Sequence, residues 1–181
     1  MKKITTLYEK DIYPSKQSAE SIEYADRITG KAIILDAGNN IALVGNKLNE
    51  FLLLPGGGVD DGEDIQSGIV RECLEETGYA VNILDEVGYI DDYRPRDKKH
   101  CISYCYTARV IGDKGNTNHT ENEAGIGMYT KWVTLEEAFS IFKKQKLELE
   151  SDKVSFYNTG FNIVRDLLFL EEAKNTSKLY E

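Results

Sequence analysis

Between Leu54 and Tyr79 the chain reads LPGGGVDDGEDIQSGIVRECLEETGY, and three of its glutamates, Glu72, Glu75 and Glu76, crowd together. In a helix, at about 100° per residue, Glu72 and Glu76 lie one turn apart and Glu75 falls in the same quadrant, so all three can converge on one point. Like charges placed so repel, and a hard divalent cation relieves the repulsion; Mg²⁺ prefers oxygen ligands. The glycines ahead of the run lack a Cβ, which lets a backbone carbonyl approach the same cation. A cluster of helix glutamates is otherwise a solvated face, and the wider pattern decides between the two readings. That pattern is Gly57, five residues, Glu63, seven residues, Arg71-Glu72, two residues, Glu75-Glu76, one residue, Gly78.

Over Gly57 to Tyr79 the chain resembles the Nudix box, G-x5-E-x7-R-E-U-x-E-E-x-G-U, where U is a bulky aliphatic residue. Gly57, Glu63, Arg71, Glu72, Glu75, Glu76 and Gly78 fill every fixed position. The two U positions depart, being Cys73 and Tyr79, both still largely apolar. The resemblance implies a mixed-sheet α/β/α sandwich and hydrolysis, with Mg²⁺ or Mn²⁺, of a nucleoside diphosphate linked to another moiety. A nucleoside triphosphate, an ADP-ribose-like sugar and a dinucleoside polyphosphate all fit that description. Glu72, Glu75 and Glu76 are the expected metal ligands, with the Gly57 carbonyl added by analogy with the family. Glu72, Glu76 and Arg71 are expected in the catalytic machinery. Arg71 serves there by orienting carboxylates through its planar fork, pairing with Glu63, which supports loop and helix. Family members take their general base from the box or from a later acidic loop. Here that loop holds Glu121 and Glu123, of which Glu123 is the expected base and a solvated loop glutamate the alternative. His119, in the same loop, is chemically capable.

The substrate is less defined. Arg94, Arg96, Lys98, Lys99 and His100 form one compact basic run, expected in a loop between strands, and Arg94 and Arg96 are the candidate phosphate contacts. Pro95 stands about where some ADP-ribose hydrolases of the family carry a proline, but the surrounding YRPRDKK is unlike their longer motif. Tyr89, Tyr93, Tyr104, Tyr106 and Trp132 could stack on a base, although strand aromatics mostly serve the core. The alternative to an enzyme is a catalytically idle domain that only senses a nucleotide, and the full set of box acids speaks against it. Isomerisation of an isoprenoid diphosphate on a related fold is a third reading, disfavoured by the same box.

The elements that must position these groups are legible in outline. RITGKAIILDA, IALVGN and EFLLLP read as strands, Glu63 to Thr77 as a helix ended by Gly78, and AVNILDEVGYIDDY and HCISYCYTARVI as two further strands. MYTKWV is a short strand, Thr134 and Glu137 form a capping box for LEEAFSIFKKQK, and a last helix spans roughly Ser155 to Ala173. Strands, helix, strands and then helices make a mixed α/β sheet with helices packed on it, in one domain over residues 1–181. Residues 1–26 carry no assignable pattern, and the run Lys143-Lys144-Gln145-Lys146 reads as a solvated helix face.

The 181 residues are 41% hydrophobic, enough for a sizeable core, and carry a net charge of −9, which repels polynucleotides and anionic membranes. A small phosphorylated substrate remains compatible, because a bound cation inverts the local field. MKKITTLYEKDIYP has no apolar signal core, and three cysteines without paired C-x-x-C spacing argue against a disulfide framework and a zinc site. Cys101 and Cys105 are expected as buried strand thiols, the expected compartment is the cytoplasm, and a homodimer stays open.

Overall fold

Apolar segments between Ala25 and Ile111 supply most of a seven-stranded mixed sheet in the computed structural model, which describes residues 1–15, 21–48, 51–115, 127–150 and 157–179. In chain order the elements are β1 (Lys3–Leu7), α1 (Glu9–Ile12), β2 (Ala25–Leu35), β3 (Ile41–Gly45), β4 (Leu52–Leu53), α2 (Ile65–Thr77), β5 (Ala80–Arg94), β6 (Lys99–Ile111), β7 (Tyr129–Val133), α3 (Leu135–Glu150) and α4 (Tyr157–Asn175). The strand order is β1-β5-β6-β2-β3-β4, with β7 also paired to β3. β1 runs parallel to β5 and β2 parallel to β6, while β5 and β6 form an antiparallel hairpin.

β3 shares a single paired position with β2, Leu35 opposite Ile41, before it departs to carry β7 and β4. The edge of β2 that it leaves is taken by the glycine turn. Ala32 N donates to Pro55 O at 3.0 Å, Gly30 N to Gly57 O at 3.0 Å, and Val59 N to Ile28 O at 3.2 Å. The turn is therefore held to a central strand by backbone pairing.

Helices cover both faces. α2 packs Ile69 and Cys73 on Ala32, Ile34, Val81 and Ala108. α3 and α4 bury Phe142, Phe161 and Phe169 against Ile33, Leu43 and Ile90 on the other face. Each such side chain contributes about 1.5–3 kcal/mol on burial, so packing, more than helix propensity, fixes where α2 lies. The result is the expected α/β/α sandwich with a C-terminal helix.

Four details depart from the sequence reading. The N-terminal stretch contains β1 and α1, and β2 begins at Ala25. Arg94 ends β5, so it is not a loop residue; the turn itself is the 3-10 segment Pro95–Asp97. The lysine run on α3 is not solvated throughout. Gln145 is buried and grips both backbone groups of Leu52, accepting its N–H at 2.8 Å and donating to its carbonyl at 2.9 Å. Helical period explains this, since Gln145 shares a face with buried Phe142 and Leu149. Cys101 and Cys105 are buried, free strand thiols, as expected. Among the described residues no helix is long and apolar enough to cross a membrane.

Candidate active site

α2 is built to present carboxylates. Asp64 caps it by accepting from Ser67 N at 3.1 Å, and Gly78 ends it in the left-handed region at φ 75°. Glu63 thus stands just outside the helix, where its carboxylate accepts from Asp60 N at 3.0 Å. Arg71 reaches back from the next turns and donates to Glu63 through two nitrogens, Nε to Oε1 at 3.0 Å and Nη2 to Oε2 at 2.9 Å. Its Nη2 also donates to Gly58 O at 3.1 Å, and its Nη1 to Glu72 at 2.9 Å and Glu75 at 3.3 Å. One guanidinium therefore ties the glycine turn, the helix entry and two of the box acids into one unit.

The Arg71 hydrogen bonds, then the Asp60 N–H, pull the Glu63 carboxyl down to about 2. Its contribution to stability is therefore complete above the ordinary glutamate range and is lost as pH falls through about 2. In an NMR titration Glu63 should stay ionised to that pH in the native chain. In Arg71→Ala it should titrate near the ordinary value of about 4.3.

Glu72 and Glu76 close on the turn from the helix side. A Cβ placed on Gly57 would meet Glu72 Oε2 at 2.4 Å, and Glu76 Oε2 accepts from Gly56 N at 2.7 Å. Among the described residues no three of His, Cys, Asp and Glu are already gathered round one point, because Arg71 bridges Glu72 and Glu75 while Glu76 turns to the Gly56 amide. The donor set nevertheless fits a hard cation: the side chains are carboxylates only, two of them close on a glycine turn, and the missing Cβ leaves Glu72 its room. Gly57 O already accepts Gly30 N–H, which leaves one lone pair. Gly56 O faces a cation as it stands, the ammonium of Lys31, which in turn feels Glu76 and Glu72. Sequence reasoning singled out the Gly57 carbonyl, and Gly57 lies against the Glu72 carboxylate.

Gly57→Ala separates geometry from folding. The colliding atom is the movable end of Glu72, so the unfolding free energy should change by less than about 1 kcal/mol. Metal affinity should fall by about tenfold or more, read by Mn²⁺ titration. Gly56→Ala should behave oppositely, because φ is +120° there and a Cβ would strike Gly30 O at 2.2 Å.

A cavity of about 270 Å³ opens beside Gly56 and Gly57, on the face of the sheet that α4 covers. Arg94 lines it, but so do Arg27, Lys31, Lys99 and Arg165, which sequence reasoning did not assemble there. Arg94 is held by Asp92 (Nε–Oδ1 2.5 Å) and by Asn162 of α4 at 3.0 Å. Arg165 is held by Asp166 at 2.7 Å. Burial, and then Arg165, lower the Lys31 ammonium below the ordinary lysine range. The rest of the basic run disperses. Arg96 is exposed, paired to Asp97 at 3.0 Å and laid over the Tyr157 ring at 4.1 Å, outside the cavity wall. His100 stacks on Tyr93 at 4.4 Å and meets Asp26 at 2.8 Å. Alternation along β6 accounts for the split, sending Lys99 and His100 to opposite faces. None of Tyr89, Tyr93, Tyr104, Tyr106 and Trp132 lines the cavity. Tyr89 pairs with Tyr104 at 5.6 Å, Trp132 with Tyr79 at 5.4 Å, and Tyr106 is core. Glu121, Glu123 and His119 lie outside the described residues.

Comparison with known proteins gives the same frame. The NUDIX domain family matches residues 28–157. A Bacillus subtilis (strain 168) protein named "Putative 8-oxo-dGTP diphosphatase" is 33% identical over 102 residues, 56% of this chain and 62% of that protein. A Methanocaldococcus jannaschii ADP-ribose pyrophosphatase is 32% identical over 94 residues, 50% of this chain and 56% of that protein. The matched stretch thus spans about 60% of the length of these relatives. In fold, a NUDIX hydrolase from Nitrosomonas europaea superposes with a TM-score of 0.54 at 18% identity, covering 77% of this chain and 88% of that one.

Proposed function

Because the chain belongs to the NUDIX family, we propose that it is a metal-dependent pyrophosphohydrolase that cleaves the diphosphate of a nucleoside diphosphate linked to a second moiety. The observation that carries this is the closure of Glu72 and Glu76 on the Gly56–Gly57 turn, braced by Arg71. Glu72, Glu75 and Glu76, with a turn carbonyl, would hold Mg²⁺ or Mn²⁺. That ion, when bound, offsets diphosphate charge and lowers the pKa of a coordinated water.

The chain's own groups do the rest. Arg71 keeps the carboxylates of the helix in register with the turn, so their approach to a diphosphate costs little reorganisation. The α4-side cavity receives one end of the substrate, and Arg94 stands in its wall, pre-oriented by Asp92. Arg96, the other candidate, would reach substrate only from the rim. Glu123 is proposed as general base, taking a proton from the attacking water. Glu123→Gln should then depress kcat at least tenfold with little change in Mn²⁺ affinity, and the acidic limb of the pH–rate profile should disappear. An unchanged profile would assign the base to the box.

The test of the whole reading is a substrate panel with Mg²⁺ or Mn²⁺: nucleoside triphosphates including 8-oxo-dGTP, ADP-ribose and dinucleoside polyphosphates, with products identified by mass. Turnover that vanishes with EDTA and returns with Mg²⁺ supports the enzyme. Nucleotide binding without turnover across the panel would make the chain a sensor. In either case the chain is proposed to act on small molecules in the cytoplasm, not on a polynucleotide or a membrane.

A further inference from the structure

We infer that the cavity beside the glycine turn takes a phosphorylated sugar or polyol, and not a nucleobase, as the moiety at that end of the diphosphate. This rests on the proposed diphosphate site, since the cavity adjoins it through Gly56 and Gly57. The chain carries a net charge of −9, yet this wall gathers Arg27, Arg94, Lys99 and Arg165, with Lys31 at its base. Two buried carboxylates, Asp92 and Asp166, pair with Arg94 and Arg165. Four cations less two carboxylates leaves two positive charges, before Lys31 is counted. Asp97, close by, is taken by Arg96 at 3.0 Å and by Nδ2 of Asn158 at 2.6 Å.

The surplus sits on Arg27 and Lys99, which have no carboxylate partner within ion-pair distance among the described residues. Arg165, 2% exposed, lines the same wall with its charge tied to Asp166 at 2.7 Å. The first turns of α4 bring Asn158 and Asn162 to the same wall, and a helix N-terminus favours an anion. A base would have to stack on an aromatic ring or a guanidinium plane; no aromatic side chain lines the cavity among the described residues, and two of its three arginines, Arg94 and Arg165, are tied to the buried carboxylates of Asp92 and Asp166. At about 270 Å³ the space is just under the usual range for ligand pockets, of about 300–1,000 Å³, and suits a single small sugar. Guanidinium and ammonium groups match phosphate oxygens, while the Thr29 hydroxyl and the two carboxamides match sugar hydroxyls.

The experiment separates this from the catalytic reading. Binding is measured by calorimetry on the full chain in EDTA, with ribose 5-phosphate and with adenosine. Ribose 5-phosphate should bind, more weakly as salt rises, and adenosine should not. Arg27→Ala with Lys99→Ala should weaken ribose 5-phosphate binding by about tenfold or more, while Lys99→Arg should keep it. Both positions reach solvent, so circular dichroism should show an intact fold. With Mg²⁺, kcat/KM for ADP-ribose 1″-phosphate, whose distal sugar carries an extra phosphate, should exceed that for ADP-ribose at least tenfold, and the double variant should erase the preference. Adenosine binding that displaces ribose 5-phosphate, or a double variant that binds as the native chain does, would overturn the inference. Ribose 5-phosphate binding without hydrolysis of any diphosphate would uphold the cavity and remove the enzyme. Nucleotide hydrolysis without ribose 5-phosphate binding would do the reverse.

Discussion

Glu76→Gln should lower kcat by about a thousandfold and leave the fold in place. Glutamine keeps the length of glutamate and a carbonyl oxygen, so it can still accept the Gly56 N–H that Glu76 Oε2 takes at 2.7 Å. The turn therefore stays where β2 holds it. The negative charge is what disappears, and with it the strongest attraction for a divalent ion. A thousandfold loss is about 4 kcal/mol of barrier, far more than one neutral hydrogen bond contributes. The decisive comparison is between three readouts. Mn²⁺ affinity and kcat should fall together, while the urea midpoint should move little. Native turnover would remove Glu76 from the machinery. A collapsed midpoint would make it a structural residue of the turn, and Gly57→Ala, which spares the Gly56 hydrogen bond, would then be the cleaner probe of Glu72.

Local physics explains how much of this was legible. The box helix announces itself because its signals are short range, a period of apolar residues and Gly78 in the left-handed region, while the reading from Glu63 starts it two residues early, since Asp64 is the cap and the helix begins at Ile65. The capping box at Thr134 and Glu137 is found as read, with bonds of 2.8 and 3.2 Å. β1 was invisible for the opposite reason. Its pairing is parallel and remote, Lys3 opposite Tyr89, and its register slips between Lys3 and Thr5. As an edge strand it needs only half an apolar face. The cavity was hidden more deeply. Arg27, Lys31, Arg94, Lys99 and Arg165 are scattered along the chain, and they meet only because β2 pairs with β6 and α4 docks on that face. One trace was readable: Arg27, Thr29 and Lys31 alternate along β2, putting a polar stripe on a strand whose second half, Ala32 to Leu35, is core. A buried strand rarely carries such a stripe without a use for it.

Asp166→Ala should cost about 3–5 kcal/mol of stability, measured by urea unfolding. Asp166 is fully buried. Its Oδ1 takes Arg165 at 2.7 Å from Nη2 and 2.8 Å from Nε, and its Oδ2 accepts Leu54 N at 2.9 Å. Alanine would leave the 2% exposed Arg165 beside the Lys31 ammonium with no anion between them, and a buried amide without an acceptor. That is the costly way to disturb an ion pair, since the remaining charge keeps its desolvation and loses its partner. Phe169→Ala, on the same helix and fully buried, should cost a similar amount by leaving a cavity. The two differ in what else they move. Leu54 precedes Pro55 and the glycines, so losing its anchor loosens the turn on which Glu72 and Glu76 close. Under conditions where both variants are folded, Asp166→Ala should bind Mn²⁺ less tightly than the native chain, and Phe169→Ala should bind it as the native chain does. Equal Mn²⁺ affinity in the two would mean that backbone pairing to β2 alone positions the turn, and that Asp166 serves only as the counter-ion of Arg165.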